Sequence, residues 1–201
     1  MFFKDITSPE IYRIKFFEFC DHYKDFSRLF TDDSKMGNQV AAAVVHGSVT
    51  KTTRLPYKSS VFKAELHDIL LALAVIRRSK EKNFIIFSDS MSSLEAVSGF
   101  KIEIDIVQNI TKVYTQLANS GKTIILCWIP SHVNIHGNER ADTAAKSALS
   151  LPVNFYHASL ISVLLNGKIY GTAVKLINFI LFTPLLAFWS IAKIKYPVTI
   201  L

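Results

Sequence analysis

The stretch Trp128–Asp142, WIPSHVNIHGNERAD, constrains this chain more than any other. Immediately before it, KTIILC is an almost unbroken apolar run of strand length, which reads as a buried β-strand over 122–128. Immediately after it, Ala141, Ala144, Ala145, Ala148 and Leu149 recur at helical spacing. Asn138 stands where an N-cap belongs and Glu139 in the first turn, so the spacing predicts a helix from about residue 139. Strand, loop and helix start thus bring a His, a Glu and an Asp into a short length of chain. A polar loop leading into a well-capped helix would account for that much alone.

The rest of the chain supplies a sheet for this unit. FSRLFTD reads as a strand ending at Asp32, DSKMGN as a turn-rich loop, and QVAAAVV as a second strand. HGSV turns into TKTTRLP, a third strand, so the three form an antiparallel meander. The period then changes. Ser59 or Ser60 can cap a helix whose apolar face is Phe62, Leu66, Ile69, Leu70, Leu73 and Ile76, closed by Arg77, Arg78 and Lys80. FIIFSD has the four consecutive apolar residues of a strand buried on both faces, ending at Ser88 and Asp89. A short helix stops at Gly99, and Val107, Ile110, Tyr114 and Leu117 mark a longer one. The order β-β-β-α-β-α-α-β-α predicts one α/β domain over 26–150, with a mixed sheet and helices on its faces. Residues 1–25 read as a lead-in in which Ile11–Tyr23 can form a short helix, and 151–201 as an apolar tail.

Four carboxylates carry the chemistry. Asp32 and Asp89 end strands that, if parallel neighbours, emerge at one sheet edge, where ligand sites of open α/β sheets collect. Aspartates also form turns after strands, and either residue alone fits that. Glu65 falls on the apolar face of its helix, where a buried carboxylate needs a partner or a metal unless it reaches solvent at the edge of the face. Asp142 lies in the first turns of the last helix, where the helix dipole favours an acid with or without a function. Together, four hard oxygen donors without a His or Cys cluster suit Mg²⁺ or Mn²⁺ rather than zinc. Two such ions about 3.5–4 Å apart clamp the attacking and leaving oxygens of a phosphodiester displacement.

The motifs TDDSK (Thr31–Lys35), AEL (Ala64–Leu66), FSDS (Phe87–Ser90) and WIPSHVNIHGNERADTAAK (Trp128–Lys146), in that order, resemble a type I ribonuclease H domain. They resemble most the version carried on the C-terminal side of non-LTR retrotransposon reverse transcriptases. The resemblance implies an RNase H-like fold with a mixed five-stranded sheet, three strands antiparallel and then two parallel. It implies Asp32, Glu65, Asp89 and Asp142 as catalytic metal ligands for two Mg²⁺ ions, with Mn²⁺ able to substitute. It makes His132 the loop histidine that assists proton transfer or product release. The implied reaction is endonucleolytic hydrolysis of the RNA strand of an RNA–DNA hybrid, leaving a 3′-hydroxyl and a 5′-phosphate. Hybrid is recognised by duplex shape and 2′-hydroxyls. The implied parent is a retrotransposon polyprotein with a reverse transcriptase domain beside this one, acting inside the cell in nucleus or cytoplasm. His136 has no implied role.

Two positions depart from the family pattern. Asp33 and Asn134 each stand where the family usually has Gly, a residue that signals positive φ or close approach. Asn tolerates left-handed geometry, Asp less so, and Asp33 adds charge beside the metals. The alternative reading is therefore a catalytically decayed remnant that keeps the fold as a nucleic-acid or protein interaction module. The basic protrusion of some cellular members is missing between Gly99 and Lys122.

Charge and tail add less. The chain carries 23 Lys and Arg against 16 Asp and Glu, net +7. Four of those lysines lie in the acid-free tail, leaving 19 basic against 16 acidic before it, so net charge does not argue for nucleic acid. Cys20 and Cys127 have no partner at metal-ligand spacing and suggest no disulfide framework, and the N-terminus has no secretion-signal pattern. Leu176–Ala192 is an uncharged run of minimal membrane-spanning length, interrupted by Asn178 and Pro184. The preferred expectation is a tail foreign to the domain. A membrane tether, with the fold as an interaction module, is the third reading.

Overall fold

The computed structural model describes residues 8–99 and 104–153, together with the backbone of 178–181 and 191–192. Three strands, β1 (Ser27–Met36), β2 (Gln39–His46) and β3 (Val49–Arg54), form the antiparallel meander. β4 (Asn83–Ser88) pairs parallel with β1, and β5 (Thr123–Trp128) parallel with β4. The resulting order, β3-β2-β1-β4-β5, is the mixed sheet that the sequence predicts. Two short strands of the tail extend it to seven: β6 (Asn178–Leu181) lies parallel to β5, and β7 (Ile191–Ala192) antiparallel to β6. Those six residues are strand, so Leu176–Ala192 is not one continuous helix. Its other residues lie outside the described ones. Among the described residues no helix is long and apolar enough to cross a membrane.

Period-2 alternation along β4 and β5 sorts their side chains to two buried faces. Phe84, Ile86, Ile124 and Leu126 enter one apolar cluster; Ile85, Phe87, Ile125 and Cys127 enter the other. The first cluster is closed by α2 (Val61–Arg78), α3 (Met91–Ser98) and α4 (Asp105–Asn119). α2 starts where its cap predicts, the Ser60 hydroxyl accepting the Lys63 N–H at 3.1 Å. The second cluster is closed by α1 (Pro9–His22), whose Tyr12, Phe16, Phe19 and Cys20 are buried. Phe16 packs edge-on to Phe87 at 5.1 Å between ring centroids. The lead-in is thus a helix of the sheet's own core, an element whose aromatic face has Phe87 to cover it.

α5 (His136–Ala148) lies over β1 and β2, seated through Ala141, Ala145 and Ala148. Its close approach depends on Gly137, where a Cβ would fall 2.3 Å from the Phe30 ring of β1. Two sequence expectations are corrected here. β1 does not end at Asp32: it continues through Asp33, Ser34 and Lys35 to Met36, because β2 offers partners as far as Gln39 across a two-residue turn with Gly37 at φ +60°. α5 begins at His136, not near 139, so Asn138 is not its cap. Asn138 is a first-turn residue and 1 % exposed.

Candidate active site

The β1–β4 ladder fixes the centre of the site. Its last paired rung is Thr31 with Ser88, and one residue beyond it on the two parallel strands stand Asp32 and Asp89. Trp128, at the end of β5, holds this corner: its indole N–H donates to the Asp89 carbonyl at 2.9 Å. Ser90 then caps α3, its hydroxyl accepting the Ser93 N–H. The Ser93 hydroxyl in turn donates to Glu65 at 3.1 Å, tying α3 to the half-buried acid of α2. Asp142 comes from the second turn of α5, brought over β1 by the Gly137 contact.

The electrostatics show which acids meet. Asp32 is 8 % exposed, and burial pushes its carboxyl up to about 8. Asp89 beside it adds to the rise, as do Asp142 and Asp33, while the Asp33 N–H donates to Asp32 Oδ1 at 2.8 Å and works against it. Asp89 is also raised, first by burial and then by Glu65. Its own backbone N–H, Asn138 and His132 pull it back. Asp32, Glu65, Asp89 and Asp142 therefore act on one another across four distant parts of the sequence. Among the described residues, no three such side chains already stand in metal-ligating geometry. What the structure supplies is proximity, burial and mutual repulsion of carboxylates, the donor chemistry of a hard divalent cation.

A cation already sits on one edge. Lys146 Nζ bonds Asp142 Oδ2 at 2.7 Å, one helical turn on, and is itself raised by that bond. The loop between β5 and α5 supplies His132, exposed and within electrostatic reach of Asp89. His132 and Asn134 both adopt positive φ, 56° and 59°. Asn134 thus takes up the left-handed backbone for which the family commonly uses Gly. Asp33 does not: it lies in ordinary strand geometry paired with Ala42, so the substitution there carries no backbone strain. His136 is exposed at the first position of α5 and takes no part in the cluster.

Two members of this cluster, Asp68 and Asn138, were missed in the sequence, and a third, Asp33, was expected there only as added charge beside the metals. Asp33 is pushed up to about 7, by burial and then by Glu65 and Asp89. Asp68, 1 % exposed on α2, is pushed well above the usual carboxylate range by burial and by Asp33, Asp32 and Asp89. Its signal was present: it follows Glu65 by three residues in ELHDILLAL, on the same helix face. Asn138 is buried beside Asp89, and neither of its amide atoms makes a hydrogen bond of normal geometry.

A search of curated proteins finds none that matches this chain. The family model for RNase H matches residues 25–150, which include all five strands of the mixed sheet, helices α2 to α5 and the four acids. The chain belongs to the RNase H family.

Proposed function

We propose that this domain hydrolyses the RNA strand of RNA–DNA hybrids in a metal-dependent, endonucleolytic reaction at Asp32, Glu65, Asp89 and Asp142. The observation that carries the reading is the meeting of Asp32 and Asp89, one residue past the last β1–β4 rung, with Glu65 and Asp142 acting on them from α2 and α5. These four would hold Mg²⁺, or Mn²⁺ in its place. Bound there, the metal supplies Lewis-acid activation of water and neutralises charge on the scissile phosphate.

The chain's own groups do the rest. Trp128 and Ser93 fix the Asp89 corner and the Glu65 carboxylate, so that both are oriented before substrate arrives. His132, exposed on a loop held in left-handed geometry, is the group that can give a proton to the departing 3′-oxygen as water adds to phosphorus and the P–O3′ bond breaks. The products are a 3′-hydroxyl and a 5′-phosphate. Lys146 pairs with Asp142 at the rim.

Derivation from a non-LTR retrotransposon, beside a reverse transcriptase domain, rests on the sequence motifs. Asp33 is the observation behind the rival reading of a silent remnant, through its added charge. Its ordinary strand backbone removes the steric half of that argument.

The test is cleavage of labelled RNA–DNA hybrid, double-stranded RNA and double-stranded DNA with Mg²⁺ or Mn²⁺, beside Asp89→Asn. The reading expects cuts in the RNA strand of the hybrid alone, abolished in the variant. An intact hybrid under all conditions leaves the remnant.

A further inference from the structure

At the β3 edge of the sheet, the β2–β3 hairpin reaches α5 through two arginines. Arg54, the last residue of β3, is 5 % exposed, and its Nη1 donates to the carbonyl of Leu149, the C-cap of α5. Toward the other end of that helix, Arg140 Nη1 donates at 2.9 Å to the carbonyl of Gly47, in the β2–β3 turn. Ala41, the β2 partner of Arg54, clusters with Ala148 and Leu149, and the two alanines let the helix end come within reach of the guanidinium. Burying that guanidinium is costly, and its Nε has no hydrogen-bond partner among the described residues. A carbonyl at the negative end of a helix offsets part of the cost. What the position secures is the helix. Of the four acids, Asp142 alone is carried by α5, between Arg140 and Leu149. Phe30, against which Gly137 packs, lies on the same side of β1 as Asp32, so a tilt of α5 at either end changes how far Asp142 stands from Asp32.

We propose that Arg54 and Arg140 are positioning residues: from the β2–β3 edge they clamp the two ends of α5 and so set the reach of Asp142 toward the acids of β1 and β4. The proposal rests on the reading of Asp142 as a divalent-cation ligand. It goes beyond that reading by giving control over the ligand to a hairpin, Gln39–Arg54, that contributes no acid of its own. Arg54 carries more of the effect than Arg140, because its bond is buried and the other exposed. Breaking a buried bond leaves the orphaned carbonyl desolvated.

The test measures the Mn²⁺ affinity of the full chain, from the paramagnetic resonance signal of the free ion, with circular dichroism as the fold control. Arg54→Met keeps the aliphatic stem and removes the donor. It is expected to weaken Mn²⁺ binding about tenfold, the lower end of what outer partners of metal ligands are worth, and Arg140→Met to weaken it less. In an Asp142→Asn background Arg54→Met is expected to change nothing further, a coupling that a general loss of stability would not produce. Wild-type affinity in folded Arg54→Met overturns the proposal, as does an equal loss with and without Asp142, or an Asp142→Asn chain that binds Mn²⁺ as wild type does. If Arg54→Met does not fold, Arg140→Met decides by the same comparison. Hybrid cleavage by a chain whose Arg54→Met variant keeps its Mn²⁺ affinity sinks the clamp and spares the nuclease. A coupled loss of affinity in a chain that cleaves nothing does the reverse.

Discussion

Replacing Asp32 by Asn isolates what burying carboxylates together costs this fold. Asp32 stands at about 8 in the native chain against the ordinary aspartate value of 3.8. Between those two values the unfolded chain releases a proton that the native chain keeps, so native stability falls as pH rises and the fall ends above about 8. Each unit is worth about 1.4 kcal/mol, so at pH 7 the ceiling is about 4 kcal/mol. Asp89 shares the repulsion, and a gain of about 2–4 kcal/mol at pH 7 is the expectation for Asp32→Asn without divalent ions. Asn keeps an Oδ1 to accept the Asp33 N–H, so the hydrogen bond survives the change. The assay is urea unfolding in EDTA at pH 4, 5, 6, 7 and 8, wild type beside variant. The difference should be near zero at pH 4 and widen steadily to pH 8. A variant no more stable than wild type at pH 7, or a difference that does not grow with pH, refutes the reasoning.

Two further perturbations probe how the site is assembled. Gly137→Ala drives a Cβ into the Phe30 ring and lifts α5 from β1. It should cost about 1–3 kcal/mol by overpacking, with part recovered in Gly137→Ala/Phe30→Leu, as thermal unfolding will show. Lys146→Met removes the ammonium that bonds Asp142. Calorimetric titration should show divalent-cation affinity rising about twofold to fivefold, the worth of an exposed ion pair, and no rise would mean Lys146 does not compete.

The meander, the capped α2 and the doubly buried β4 and β5 were legible because each writes its own period into the sequence. The four acids stood out as candidates because motifs surround them. What escaped was set by tertiary partners. Asp32 looked terminal because polar residues follow it, whereas β2 carries the pairing on to Met36. Asn138 looked like a cap because its type suits one, but the helix starts earlier and buries it beside Asp89. The aromatic face of α1 made sense only with Phe87 opposite. Asp68 was hidden by its apolar neighbours, though the reasoning that singled out Glu65 applied equally well three residues later.

The central claim is that side chains from β1, α2, the end of β4 and α5 share divalent cations. Anomalous diffraction from Mn²⁺-soaked crystals tests it most directly. The account predicts strong peaks about 2.1 Å from carboxylate oxygens of Asp32 and Asp89, with Glu65 or Asp142 completing the ligands. Saturating Mn²⁺ that leaves those four carboxylates without a peak would contradict it.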